Sequence, residues 1–242
     1  MTSLVNAVRG ALLSSPEVTR LASLRRTTSL FSQGQPADAL YFLEDGLIKL
    51  TRTNQNTNRV ILAILGPGEL LGDEALGQSA GIHQCDAEVL TTASLWRIPR
   101  DFLARAISND PELAASLLDR LLEHKHVLAR KVELLCLHDV EYRILYYLTE
   151  LSSLVQPSEL DGGHQLPLTQ AELADLIGAT RETTSTTLNQ LERRGLVRLS
   201  RRLLTIPSIP DLRESIDHKK SSFRVNVPVP DPPITVAANS SM

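Results

Sequence analysis

The chain has 242 residues, 42% of them hydrophobic, and a formal charge of −3. That length suits two domains, and its longest apolar runs, such as Val60 to Leu65, fall far short of the ~20 residues a membrane span requires. The first ten residues lack a basic start followed by an apolar block, so no signal peptide is expected. The only cysteines, Cys85 and Cys136, lie in segments that read as different domains. They supply neither a disulfide framework nor a four-thiolate metal site, and the expectation is a cytoplasmic protein with no membrane partner and no metal.

From Leu30 to Pro99 the sequence reads as short strands cut by turns. Tyr41-Phe42-Leu43 and Leu47-Ile48-Lys49-Leu50-Thr51 flank Asp45-Gly46, which predicts a hairpin. Arg59 to Leu65 predicts a mostly apolar strand ended by Gly66-Pro67-Gly68, and Val89 to Ile98 predicts another. Many short strands with turn glycines indicate a jelly roll.

After Pro99 the period changes. Asp101 to Asn109 predicts a short helix, and Asp110-Pro111 opens a long one, with aspartate as N-cap and proline in the first helical position. Along it Ala114, Leu118, Leu121, Lys125, Leu128, Val132 and Leu135 recur at spacings of four and three, a heptad seam that is apolar except for Lys125. Such a stripe packs either on its own domain or on the same helix of a second chain. A helix that joins two domains has little of its own chain to lie against, which favours the dimer. Leu137-His138-Asp139 reads as a hinge, with Asp139 capping a helix from Val140 to Leu151. Gln156 to Gln165 reads as a loop. From Glu214 onward the composition predicts a largely disordered tail.

The stretch from Leu168 to Ile206 is the most informative. Thr169 caps a helix and Glu172 completes a capping box. Ala171, Leu173, Ala174, Leu176 and Ile177 give it an apolar face, and Gly178 ends it. Thr180 caps a second helix, Arg181 to Arg193, with Thr184, Leu188 and Leu191 facing inward and Arg181, Glu182, Ser185 and Asn189 outward. This is a helix-turn-helix pattern, whose second helix leads into the major groove with its N-terminal turn. Gly195 to Leu199 and Leu203 to Ile206 predict a hairpin tipped by Ser200-Arg201-Arg202, a wing placed to touch phosphates. Although the chain is weakly acidic overall, Arg193, Arg194, Arg198, Arg201 and Arg202 crowd this segment, with few acids nearby.

Thr169-Gln170-Ala171-Glu172-Leu173-Ala174, Ile177-Gly178 and Thr180-Arg181-Glu182-Thr183-Thr184-Ser185 together resemble the winged helix-turn-helix of the catabolite activator and fumarate–nitrate regulator (CRP/FNR) family. Gly34, Ala39 to Leu43 with Gly46, Gly68-Glu69 and Gly72 resemble that family's cyclic-nucleotide-type barrel, and Leu137-His138-Asp139 falls at its hinge. The resemblance spans about Thr27 to Pro207. The threonine-rich second helix looks closest to the branch containing the haem-based carbon-monoxide sensor.

The resemblance implies an α+β protein with an N-terminal β jelly-roll sensor barrel over 1–110, a long dimerisation helix over 111–137, and a C-terminal winged helix-turn-helix over 138–213. Residues 214–242 form the tail. It implies a transcription regulator, not an enzyme, with double-stranded DNA, a second copy of itself and RNA polymerase as partners. Arg181, Glu182 and Ser185 are expected to read bases, arginine pairing with guanine and glutamate with cytosine. Thr169, Thr180, Thr183, Arg201 and Arg202 are expected on the backbone, and Leu118, Leu121, Leu128, Val132 and Leu135 in the dimer seam. Thr186 stands where the best-known members carry a second base-reading arginine, so the half-site should be more relaxed there.

The effector pocket is expected around Gly72, Asp73, Glu74, His83 and Gln84, with the effector itself open. Cyclic-AMP-binding relatives clamp the phosphate with an arginine, where this chain has His83. A phosphodiester beside two carboxylates without a guanidinium is poorly stabilised, which argues against cyclic AMP. Haem is not expected either, because the spacing around His83 does not match the haem sensor and a lone turn histidine is ordinarily solvated. Cys85 is expected to be packed rather than redox-active. Two rival readings stand beside this one. The first is a ligand-binding regulatory module that acts through a protein partner. The second is an enzyme, against which stands the lack of any phosphate loop, Gly-x-Ser-x-Gly elbow or His-Glu-x-x-His.

Overall fold

The computed structural model describes residues 15–56, 58–77, 81–158 and 162–222. Its N-terminal part is two four-stranded antiparallel sheets. One has the order β1 (Thr19–Leu24), β8 (Ala93–Pro99), β3 (Ala39–Asp45), β6 (Leu70–Leu71). The other has the order β2 (Ser29–Phe31), β7 (Asp86–Val89), β4 (Ile48–Thr53), β5 (Arg59–Leu65). Tyr41, Leu43 and Leu95 of the first meet Ile48, Leu65, Ala87 and Val89 of the second in one apolar core.

Two turns differ from expectation. Asp45-Gly46 does not close a hairpin: β3 and β4 lie in different sheets, and the chain turns a corner there. Gly46 has a φ of 89°, and a Cβ on it would stand 2.4 Å from the Thr92 carbonyl oxygen. The glycine is needed for a close approach of backbones, which local pattern does not distinguish from a tight turn. Val89 to Ile98 is likewise two strands, β7 and β8, divided by a second corner at residues 90–92.

Strand β3 is buried on both faces. Leu40 and Phe42 point away from the barrel core to meet Leu103 of α1 (Arg100–Asn109) and Leu113 and Leu117 of α2 (Pro111–Leu137). That explains its unbroken apolar run. Helix α2 starts as expected, with the Asp110 carboxylate accepting from the amides of Glu112 and Leu113. Its inner face is better served by its own chain than expected, since Leu113, Leu117, Lys131 and Leu134 are all buried.

The C-terminal part packs α3 (Val140–Ser152), α4 (Gln170–Ile177) and α5 (Arg181–Arg193) around Leu145, Leu148, Leu173, Ile177, Leu188 and Leu191. The wing strands β10 (Arg198–Leu199) and β11 (Leu204–Ile206) gain a third, β9 (His164–Leu166), from the segment expected to be loop. The expectation of a structureless tail from Glu214 fails for its first part. Helix α6 (Ile209–Ser222) buries Leu212 and Ile216 against the domain, and Lys219 bridges Asp139 and Glu141 at 2.6 and 2.9 Å. Two apolar residues four apart anchor a helix that polar composition concealed. Residues 223–242, 1–14 and Asp161 lie outside the described residues.

Candidate nucleic-acid interface

Helices α4 and α5 are held by local hydrogen bonds and a shared core. The Thr169 hydroxyl accepts from the Glu172 amide at 3.1 Å and donates to the Glu172 carboxylate at 2.9 Å, and that carboxylate accepts from the Thr169 amide at 3.0 Å. The capping box is therefore complete, and the Thr169 hydroxyl is engaged by its own helix. Gly178 takes a φ of 63° at the turn. The Thr180 hydroxyl accepts from the Thr183 amide at 3.1 Å, and the buried Thr184 donates to the Thr180 carbonyl at 2.8 Å.

With Thr184, Leu188 and Leu191 turned inward, the other side of α5 is offered to solvent. Arg181, Glu182, Thr183, Thr186 and Asn189 are exposed and Ser185 is half-buried. Asp175, a conceivable partner for Arg181, is taken by Arg59 at 2.8 Å. The first turn of α5 thus presents a donor fork and an acceptor on a rigid, capped helix. Arg201 and Arg202 are exposed at the wing tip and Arg193 on the adjoining helix end. Arg194 departs from that basic group. It binds Glu141 at 2.6 Å and anchors α5 to α3.

The expected effector residues do converge. Gly72, with a φ of 78°, leads into a short 3₁₀ turn, Asp73–Leu76. Glu74 reaches His83 Nδ1 at 3.2 Å and accepts from the Gln84 amide at 2.9 Å. His83 is not solvated, as a turn histidine was expected to be. It is buried and stacks on Phe31 with ring centroids 3.7 Å apart. Burial, reinforced by Glu74, raises the Asp73 pKa, and burial pushes the Cys85 thiol up to about 12, far from a reactive thiolate.

The heptad stripe on α2 stays largely uncovered within the chain. Leu118, Leu128 and Val132 are 58, 52 and 60% exposed, beside exposed Leu122 and Leu135 and half-buried Leu121. Most of this stripe is not packed on its own domain, for which α2 uses a different face, that of Leu113, Leu117, Lys131 and Leu134.

Two family models match. Residues 21–110 fit the cyclic nucleotide-binding domain and residues 142–215 the Crp-like helix-turn-helix domain. A CRP-like cAMP-activated global transcriptional regulator of Mycobacterium tuberculosis is 30% identical over 179 residues, covering 72% of this chain and 78% of that protein. The transcriptional regulator SdrP of Thermus thermophilus is 30% identical over 74% of this chain and 86% of its own length. The chain belongs to the CRP/FNR family of transcription regulators. The solved structure of a CRP/FNR regulator from Thermus thermophilus superposes with a TM-score of 0.70 at 26% identity, covering 83% of this chain and 98% of that one.

Membership in the CRP/FNR family establishes a DNA-binding regulator, not an enzyme, built as an α+β chain with a sensor barrel and a helix-turn-helix. Among the described residues no helix is long and apolar enough to cross a membrane. What sequence reasoning missed in this CRP/FNR chain is the junction between its two parts. Lys49 of β4 and Lys131 of α2 are buried there against α4. The one available signal was a charged residue inside an otherwise apolar strand, Leu47-Ile48-Lys49-Leu50.

Proposed function

We propose that the protein is a cytoplasmic homodimer that binds a two-fold-symmetric DNA site and acts on RNA polymerase under control of an effector at its barrel. The observation that carries this reading is the pair Arg181 and Glu182, exposed and side by side on the first turn of a helix capped by Thr180. Arginine there donates two hydrogen bonds to guanine O6 and N7, glutamate accepts from cytosine N4, and Ser185 lies one turn behind them. The hydroxyls of Thr180 and Thr183 and the guanidinium groups of Arg201 and Arg202 face phosphates, Thr169 standing at the start of the neighbouring helix. The apolar stripe of α2 pairs with its symmetry mate, so half-sites lie about one helical turn, ~34 Å, apart.

The effector pocket is formed around Gly72, Asp73, Glu74, His83 and Gln84. With His83 stacked on Phe31 in place of an arginine, a ligand other than cyclic AMP fits this chemistry better. Mass spectrometry of small molecules released from the purified protein identifies it.

Binding to a duplex selected from a random pool by the wild-type protein tests the DNA reading. Arg201→Ala is expected to weaken binding to the selected and to random duplexes by the same factor, and to lower the slope of log affinity against log salt by about 0.9. Affinity indifferent to salt for the wild type would favour a module acting through a protein partner instead.

A further inference from the structure

We infer that Lys49 and Lys131 are positioning residues that grip α4 at both ends, fix the angle at which α5 is presented, and so set the half-site spacing that the dimer accepts. This rests on the dimeric reading proposed above.

Helix α4 is only eight residues long. At its N-terminal end Glu172 is bound from the barrel by Lys49, whose Nζ lies 3.0 Å from one carboxylate oxygen and 2.9 Å from Glu88 of β7. Arg26 adds a contact at 3.4 Å to Glu172 and donates to the Pro167 carbonyl at 3.0 Å. The side chains of Lys49 and Glu172 retain 8 and 9% of their exposure, so this is a buried ion pair joining two domains. Burial works to raise the Glu172 pKa. Hydrogen bonds from the Thr169 amide and Lys49 outweigh it and hold the pKa below the ordinary carboxylate value.

At the other end Lys131 Nζ donates to the Ile61 carbonyl of β5 and the Leu176 carbonyl of α4, both at 2.8 Å. The ammonium also sits 5.2 Å from the Tyr147 ring centroid of α3. Burial pushes its pKa down to about 8, still charged at neutral pH, and the acceptor it holds belongs to the negative end of a helix dipole. One buried amine thus joins the barrel, α2, α3 and α4.

Apolar contacts also cross this junction: Leu47, Ile61 and Leu90 of the barrel share a cluster with Leu134, Leu176 and Ile177. Apolar surfaces tolerate sliding and rotation. Buried, directional contacts do not, because any other docking takes Glu172 away from Lys49 and the Leu176 carbonyl away from Lys131 and leaves buried ammonium groups short of acceptors. The apolar patch supplies adhesion and the two lysines supply register. Helices α4 and α5 share a core, so the angle fixed at α4 is the angle of α5. Nothing within the helix-turn-helix itself requires either lysine.

The test uses the full-length protein and its selected duplex, with the spacer between half-sites left as selected or changed by one base pair. One base pair moves a half-site by about 3.4 Å and rotates it by roughly 35°. Wild type and Lys49→Arg are expected to bind the altered spacers about tenfold or more weaker. Lys49→Met and, independently, Lys131→Met are expected to bind all spacers within about threefold, while each half-site keeps its base preference. A lysine that only stabilised the fold would lower the melting temperature and leave spacing discrimination intact. Methionine variants that are folded and discriminate spacers like wild type would overturn the latch and leave the dimeric reading standing. A wild type indifferent to spacing would overturn both.

Discussion

Val132→Asp is expected to leave the purified protein monomeric and to lower its affinity for the selected duplex about 100-fold or more. Val132 is 60% exposed toward the C-terminal end of a stripe that runs through Leu118, Leu121 and Leu128, on a helix of 27 residues, about 40 Å long. Isolated apolar side chains on a surface need no explanation, but a row of them along one helix face marks an interface. In a parallel pairing the residue at this position faces its own symmetry mate. The substitution therefore sets two carboxylates against each other out of water, which costs several kcal/mol. Each protomer would then meet one half-site alone. Sedimentation gives the mass, and fluorescence anisotropy gives the affinity. A Val132→Asp protein that remains dimeric and binds with wild-type affinity would remove α2 as the interface.

The second large effect is expected at Arg181. Arg181→Ala should cost about 1–3 kcal/mol on the selected duplex, about 5- to 150-fold in affinity, and relax preference at one base pair per half-site. On random duplex the loss should be small. The substitution removes no internal contact, because Arg181 is exposed and Asp175 is bound to Arg59. The helix keeps its Thr180 cap, so the thermal midpoint should barely move. Equal losses on selected and random DNA would assign Arg181 to phosphate rather than to a base.

The helix-turn-helix was legible in the sequence because its signals are local. A cap and its glutamate three residues on, a glycine that must take a positive φ, and inward positions three and four apart all act within one or two turns of helix. The structure reproduces each at Thr169, Glu172, Gly178, Thr180, Thr184 and Leu188. The long helix and its exposed stripe were legible for the same reason.

What failed depends on contacts between distant segments. Asp45-Gly46 carries the same residues whether it closes a hairpin or turns a corner between sheets, and only the neighbouring Thr92 backbone decides. His83 reads as a turn residue until Phe31, far back in the chain, lies flat against it. Helix α6 is mostly polar, and two buried residues suffice to dock it. Lys49 is the plainest case. In a strand pattern it is simply an outward charge, and its partner Glu172 is already accounted for as a cap. The two meet 123 positions apart, and no local period connects them.

A crystal structure of the protein on its selected duplex addresses the central claim most directly. It should show the N-terminal turn of α5 in the major groove, with the Arg181 guanidinium about 2.7–3.2 Å from O6 and N7 of one guanine in each half-site. A complex in which α5 lies clear of both grooves, with Arg181 and Glu182 touching neither base edges nor water bridged to them, would contradict it.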